Sequence, residues 1–151
     1  ASDGRVVASL SIRDLLAFAG RSGAKAGGLA SPLVTIDEGM GVAEALRFMA
    51  EKGVRNLVVR KRDGYYVVND RMMLEFLLSH DAREIMSRKG FEALSGVKVS
   101  SLVAIKGRQV GPGQTAGSAA KLLSELGTPC LFVGGKILTP WDIVMKTLYP
   151  R

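Results

Sequence analysis

The chain has 151 residues, of which 47% are apolar and 23% charged, and it carries a formal net charge of +7. Those proportions suit one compact domain, or two small ones sharing a core, and they exclude global disorder and a collagen-like repeat. No apolar run approaches the ~18 residues of a membrane span, which excludes an integral membrane protein as well. Cys130 and His80 are the only residues of their types, so there is no internal disulfide framework, no cysteine-built zinc site and little scope for histidine chemistry. With no basic-then-apolar leader pattern at the N-terminus, a reducing, cytoplasmic setting is expected.

The first segment that reads as structure is a lead-in helix capped by Ser11 with Asp14. A glycine-rich stretch, residues 24–28, reads as a connector, and Leu33-Val34-Thr35-Ile36 as a short strand. From Val42 to Gly53, apolar side chains at Val42, Ala45, Leu46 and Met49 mark one buried helical stripe, closed by a glycine. Asn56-Leu57-Val58-Val59 and Tyr65 to Val68 form a predicted hairpin around Asp63-Gly64, and a helix runs from Asp70 to about Ser79. Arg60-Lys61-Arg62 falls at that turn and reads as exposed. A second lead-in helix is capped by Asp81 with Glu84, and residues 90–96 form another connector. The pattern then recurs. Strand Arg108–Val110 and helix Ala116–Gly127 are followed by strand Cys130–Val133. The turn Gly134-Gly135 leads to strand Lys136–Leu138 and a helix from Pro140 to about Leu148.

The two helices repeat at an offset of 74 residues, and the closing helices at 70. This internal repeat predicts an α/β (α+β) fold of two β-α-β-β-α units, residues 8–79 and 80–151, each with its lead-in helix. One such unit is too small to bury a sheet face alone, so the copies are expected to pack about a pseudo-twofold axis, with Leu57, Val58, Leu131 and Phe132 in central strands. Charge is uneven: residues 1–92 are net +2 and residues 93–151 net +5. A basic half favours polyanionic partners or simply keeps the surface solvated.

The duplicated order of elements resembles the CBS domain pair, named for cystathionine β-synthase, over roughly residues 30–79 and 104–149. The resemblance rests on Val34-Thr35-Ile36, Val42-Ala43-Glu44-Ala45-Leu46 and Gly53-Val54-Arg55-Asn56-Leu57-Val58-Val59 in the first copy. In the second it rests on Val110 to Thr115, Ala119-Ala120 and Gly134 to Val144. Leu138-Thr139-Pro140-Trp141-Asp142 looks like the family's strand-to-helix motif, which holds an adenosine ribose and phosphate. Freed backbone N–H groups and the helix dipole attract phosphate at such a turn. The Thr139 hydroxyl would add a donor, and Asp142 would accept from a ribose diol. The same tetrapeptide is also a good helix N-cap, with Thr as cap and Asp in the first turn.

By resemblance, Ala104, Ile105 and Gly107 would form the adenine slot. Lys106, Arg108 and Lys136 lie near in sequence to supply cations, and Arg55 matches a family position that reaches phosphate. In the first copy Asn69 stands for Thr139 and Met72 for Asp142, so one ligand per chain is expected. Cys130 reads as a buried small hydrophobe, His80 as an exposed helix-end residue, and Met72, Met73 and Met86 as core fillers. Trp141 either walls the site or covers an interface.

The resemblance implies a non-catalytic sensor that binds AMP, ADP, ATP or S-adenosylmethionine between the repeats. It implies no cofactor beyond that regulatory ligand, a disc-like homodimer, and a separate regulated protein in energy sensing, with no membrane partner. No nucleophile–base pair can be assembled from one histidine and one cysteine, so no enzyme activity is expected. Two alternatives stay open: nucleic-acid binding by the basic half, and a purely structural dimerisation module.

Overall fold

A computed structural model of the chain describes residues 9–19, 21–102 and 105–149. The elements run α1 (Leu16–Ala19), α2 (Ala26–Leu29), β1 (Ser31–Pro32), β2 (Thr35–Ile36), α3 (Val42–Lys52), β3 (Asn56–Lys61), β4 (Gly64–Asn69), α4 (Asp70–Leu77) and α5 (His80–Lys89). Two short 3-10 turns follow, Phe91–Gly96 and Val99–Ser101. The chain then forms β5 (Ile105–Lys106), β6 (Arg108–Val110), α6 (Ala116–Glu125), β7 (Leu131–Val133), β8 (Lys136–Leu138) and α7 (Pro140–Leu148).

Packing divides the chain differently from the sequence repeats 8–79 and 80–151. One compact unit is Leu33–Gly107; the other joins the segment ending at Pro32 to the segment beginning at Arg108. The physical reason lies in two short strands. β1 pairs antiparallel with β8, and β5 pairs antiparallel with β4, so each lead-in segment completes the sheet that the other repeat builds. Edge coverage, rather than chain order, sets the boundaries.

In the 33–107 unit the sheet order is β2-β3-β4-β5. β2 and β3 are parallel, joined by α3, and β3 and β4 form a hairpin in register from Asn56↔Asn69 to Lys61↔Gly64. Leu57, Val59 and Val68 enter a core with Val42, Ala45, Met49, Met73 and Leu94, and Val58 and Val67 are buried as well. α3 begins where the Glu44 carboxylate accepts the Gly41 N–H at 3.1 Å and ends on Gly53 at φ +61°. Gly41 has no room for a side chain, since a Cβ there would lie 2.4 Å from the Ser95 carbonyl oxygen. The Val42 N–H donates to Val97 O and the Val99 N–H to Met40 O, both at 2.9 Å. The stretch expected as a connector is therefore a packed part of this unit, with Leu94 and Val99 buried.

The other unit repeats this topology as β6-β7-β8-β1. β6 and β7 are parallel across α6; β7 and β8 turn back through Gly134 and Gly135, both at positive φ (53° and 76°), as a two-residue hairpin requires. The core joins Leu16, Leu29, Ala116, Leu123, Leu131, Leu138 and Ile143. α1 is shorter than expected: Ser11 and Asp14 do hydrogen-bond at 2.7 Å, but regular helix starts only at Leu16. α5 is capped by Ser79, which accepts from the Ala82 N–H at 3.2 Å, and not by Asp81, which sits in the first turn. Leu57, Val58, Leu131 and Phe132 are buried in interior strands, as expected.

Candidate functional site

The strand-to-helix turn at Leu138–Asp142 is built by capping chemistry. Thr139 leaves β8 in extended conformation, and its hydroxyl accepts the Asp142 N–H at 3.2 Å. Asp142 Oδ2 returns the contact by accepting the Thr139 N–H at 3.0 Å and the Thr139 hydroxyl at 2.7 Å. Pro140 takes the first helical position, where its missing N–H costs nothing. Leu138 and Pro140 are buried, and Trp141 projects with 60% of its surface exposed.

Two residues that sequence reasoning missed complete this turn. Ser31 on β1 donates its hydroxyl to Asp142 Oδ1 at 2.5 Å. Lys146, one turn further along α7, reaches the same oxygen at 3.2 Å and also donates to Leu29 O at 2.6 Å and Ser31 Oγ at 3.0 Å. Asp142 is only 7% exposed, and these donors are what permit its burial. The Asp142–Lys146 spacing of four was a readable ion-pair signal. The part played by Ser31, 111 residues away, depends on the pairing of β1 with β8.

Of the other expected site residues, Lys136 and Arg108 belong to this unit and are exposed. Arg108, Leu131 and Leu138 lie in one cross-strand row, which puts Arg108 two strand spacings, about 10 Å, from Leu138. Ile105, Lys106, Gly107 and Arg55 lie in the 33–107 unit; Ala104 falls outside the described residues. Both cations there have carboxylate partners. Lys106 Nζ donates to Asp63 at 2.7 Å and stands 5.8 Å from the Tyr66 ring centre, and Arg55 Nε donates to Asp70 at 2.5 Å. Lys106 and the Tyr66 hydroxyl, both donating to Asp63, lower its carboxyl to about 2. The Gly107 N–H is used by Tyr65 O at 2.8 Å, and Ile105 is exposed.

The corresponding turn of the 33–107 unit keeps the cap and loses the acceptor. Asn69 Oδ1 accepts the Met72 N–H at 2.9 Å. Met72 itself lines a cavity of about 400 Å³ with Phe76, Leu102 and Ile105. Met73 is fully buried and Met86 packs against the same core. His80 is exposed at the start of α5, 3.8 Å from Glu84, so it sits at a helix N-terminus. Cys130 is buried just before β7, and burial pushes its thiol up to about 12. Among the described residues no group of three or more His, Cys, Asp or Glu side chains could hold a metal ion, and no helix is long and apolar enough to cross a membrane.

Two sheets of one topology, each ending in a capped strand-to-helix turn, define a class. Residues 28–78 match the family model of the CBS domain. In structure the chain is similar to protein MJ1225 from Methanocaldococcus jannaschii, with a TM-score of 0.73 at 14% identity over 89% of this chain; it spans only 52% of that one. It is similar to the CBS-pair protein CBSX2 from Arabidopsis thaliana, with a TM-score of 0.63 at 27% identity over 84% of this chain and 96% of that one. CBSX2 in complex with AMP gives a TM-score of 0.59 at 25% identity, over 83% and 97% of the two chains. No curated protein matches the chain in sequence. Residues 28–78 are thus identified as a CBS domain, and the fold of the chain is that of a CBS domain pair.

Proposed function

We propose that the chain is a non-catalytic regulatory module that binds an adenosyl ligand (AMP, ADP, ATP or S-adenosylmethionine) at the Thr139–Asp142 turn. The observation that carries this reading is the turn itself: a capped helix N-terminus presenting backbone N–H groups beside a carboxylate, on a fold shared with CBSX2, which has been crystallised with AMP. Arg108 and Lys136 are exposed cations of the same unit, whose positive charge favours an anionic ligand. One ligand per chain follows from Met72, which has no oxygen to offer a ribose. Each unit also exposes large apolar side chains on or next to its closing helix, Leu74 and Leu78 in one and Trp141, Leu148 and Tyr149 in the other, as a homodimer would use.

The test is a thermal-shift panel of AMP, ADP, ATP, S-adenosylmethionine and short RNA, followed by titration of any hit. A ligand at 100 times its dissociation constant stabilises the native state by roughly 2.7 kcal/mol. One site per chain, abolished in Asp142→Ala and insensitive to Met72→Ala, is the expected result. A second reading, a purely structural module, is favoured by one observation: donors from Ser31, Thr139 and Lys146 already occupy both oxygens of Asp142, which is largely buried. An unresponsive panel with an intact dimer would establish that reading instead. Salt-sensitive stabilisation by RNA alone would move the function to nucleic-acid binding.

A further inference from the structure

A carboxylate offers about four acceptor positions, and Asp142 has four donors. Oδ2 holds the Thr139 N–H and hydroxyl, and Oδ1 holds the Ser31 hydroxyl and the Lys146 ammonium. A ribose diol brings two more donors, so it reaches Asp142 only by displacing some already there. The Thr139 contacts belong to the helix cap and are local to the turn. Ser31 and Lys146 come from outside the cap, and both converge on Oδ1.

Ser31 stands on the two-residue edge strand β1, whose register with β8 is Ser31↔Ile137 and Pro32↔Lys136. Pro32 has no N–H to give to that ladder, and the Ser31 side chain adds a contact of its own to Asp142 on α7. Lys146 fastens the same place through Leu29 O and Ser31 Oγ. The 33–107 unit shows the same topology without these groups. β5 pairs with β4 as β1 pairs with β8, which sets Ile105 at the place of Ser31. Met72 and Phe76 are the third and seventh residues of α4, as Asp142 and Lys146 are of α7. A polar triad in one unit is thus an apolar triad in the other, and there it lines an open cavity.

We propose that Ser31 and Lys146 form an internal latch on Asp142, competing with a nucleoside for Oδ1, so that ligand entry unfastens β1 from β8. This rests on the nucleoside reading of the turn. The latch residues then set affinity in the sense opposite to ligand contacts: removing them tightens binding. Beyond Pro32 the chain passes into the other unit at Leu33, so unfastening β1 acts on the segment that connects the two.

The test titrates adenosine, which has no phosphate for Lys146 to attract, into the full chain and into Ser31→Ala, Lys146→Met and Asp142→Ala. Both latch variants should bind about tenfold tighter, the worth of one hydrogen bond to a charged group, and Asp142→Ala should not bind. Amide exchange over residues 28–36 should rise when adenosine saturates the wild type, and should already be high in free Ser31→Ala. Unchanged or weaker binding in both latch variants, with binding lost in Asp142→Ala, would discard the latch and leave the nucleoside site standing. No adenosine binding by any of the four chains would remove both. If Lys146→Met does not fold, Ser31→Ala decides alone.

Discussion

Asp142 and Met72 occupy the same place in two units of one topology, the third residue of the helix that leaves the hairpin, and only Asp142 has an oxygen. The residue before each helix is an N-cap in both cases, Thr139 or Asn69, so the turn forms without the carboxylate. What Asp142 adds is the tie to Ser31 and Lys146. Asp142→Ala removes the acceptor of the Ser31 and Thr139 hydroxyls and of the Thr139 N–H, while Lys146 keeps Leu29 O and Ser31 Oγ. The cost should be about 2–3 kcal/mol, well beyond the few tenths expected of an exposed first-turn acid. Urea denaturation of Asp142→Ala, Asp142→Asn and Met72→Ala would show it; a loss under ~0.5 kcal/mol in Asp142→Ala would mean that the network contributes nothing net.

The shared cap predicts a shared cost. Asn69→Ala removes the acceptor for the Met72 N–H and should destabilise the 33–107 unit by about 1 kcal/mol, with Asn69→Asp close to neutral. Equal midpoints for Asn69→Ala and the wild type would show that α4 is held by its packing alone.

Lys106, expected near phosphate, is committed to Asp63 on the hairpin, and that pairing has a pH signature. The Asp63 carboxyl is depressed to about 2 because Lys106 and Tyr66 donate to it. Its contribution is therefore complete above the ordinary carboxylate range near 4 and is lost as pH falls toward 2. In an NMR titration, Lys106→Ala should raise the Asp63 midpoint, and Tyr66→Phe should raise it by less. A midpoint unmoved by Lys106→Ala would show the ion pair to be absent in solution.

The parts of this fold that were legible in sequence are those whose signal is local. The stripe of Val42, Ala45 and Met49, the hairpin around Gly134-Gly135 and the cap at Thr139 each rest on contacts within a few residues. β1 and β5 were not legible, because two residues carry no periodicity and one of those in β1 is a proline. Missing β1 hid Ser31, and with it the reason Asp142 is buried. Residues 90–96 looked like a connector because Gly90, Ser95 and Gly96 are turn formers; what ties the chain down just beyond them is the backbone exchange of Val97 and Val99 with Val42 and Met40, more than 50 residues away. Of the proposed site, the cap residues were readable in sequence. Lys146, four residues along the same helix, was readable as well, whereas Ser31 reaches the carboxylate only through the pairing of β1 with β8.

Cys130 gives the last prediction. Its side chain is fully buried, and burial, followed by the negative charge of Asp142, raises the thiol from 9.0 to about 12. A thiol is neutral when protonated, so a raised value means that the folded chain holds the proton while the unfolded chain releases it. The stabilisation is complete below about pH 9 and is lost as pH rises from there toward 12, at up to roughly 1.4 kcal/mol per pH unit. Cys130→Ala removes this titration and leaves a small packing deficit that does not depend on pH. The stability gap between wild type and Cys130→Ala should therefore narrow above pH 9, and a thiol reagent should label native wild type only at the rate of opening. Asp142→Asn should lower the Cys130 value, tying the thiol to the same carboxylate that Ser31 and Lys146 hold. Rapid labelling of the native chain at pH 8 would contradict the burial on which all of this depends.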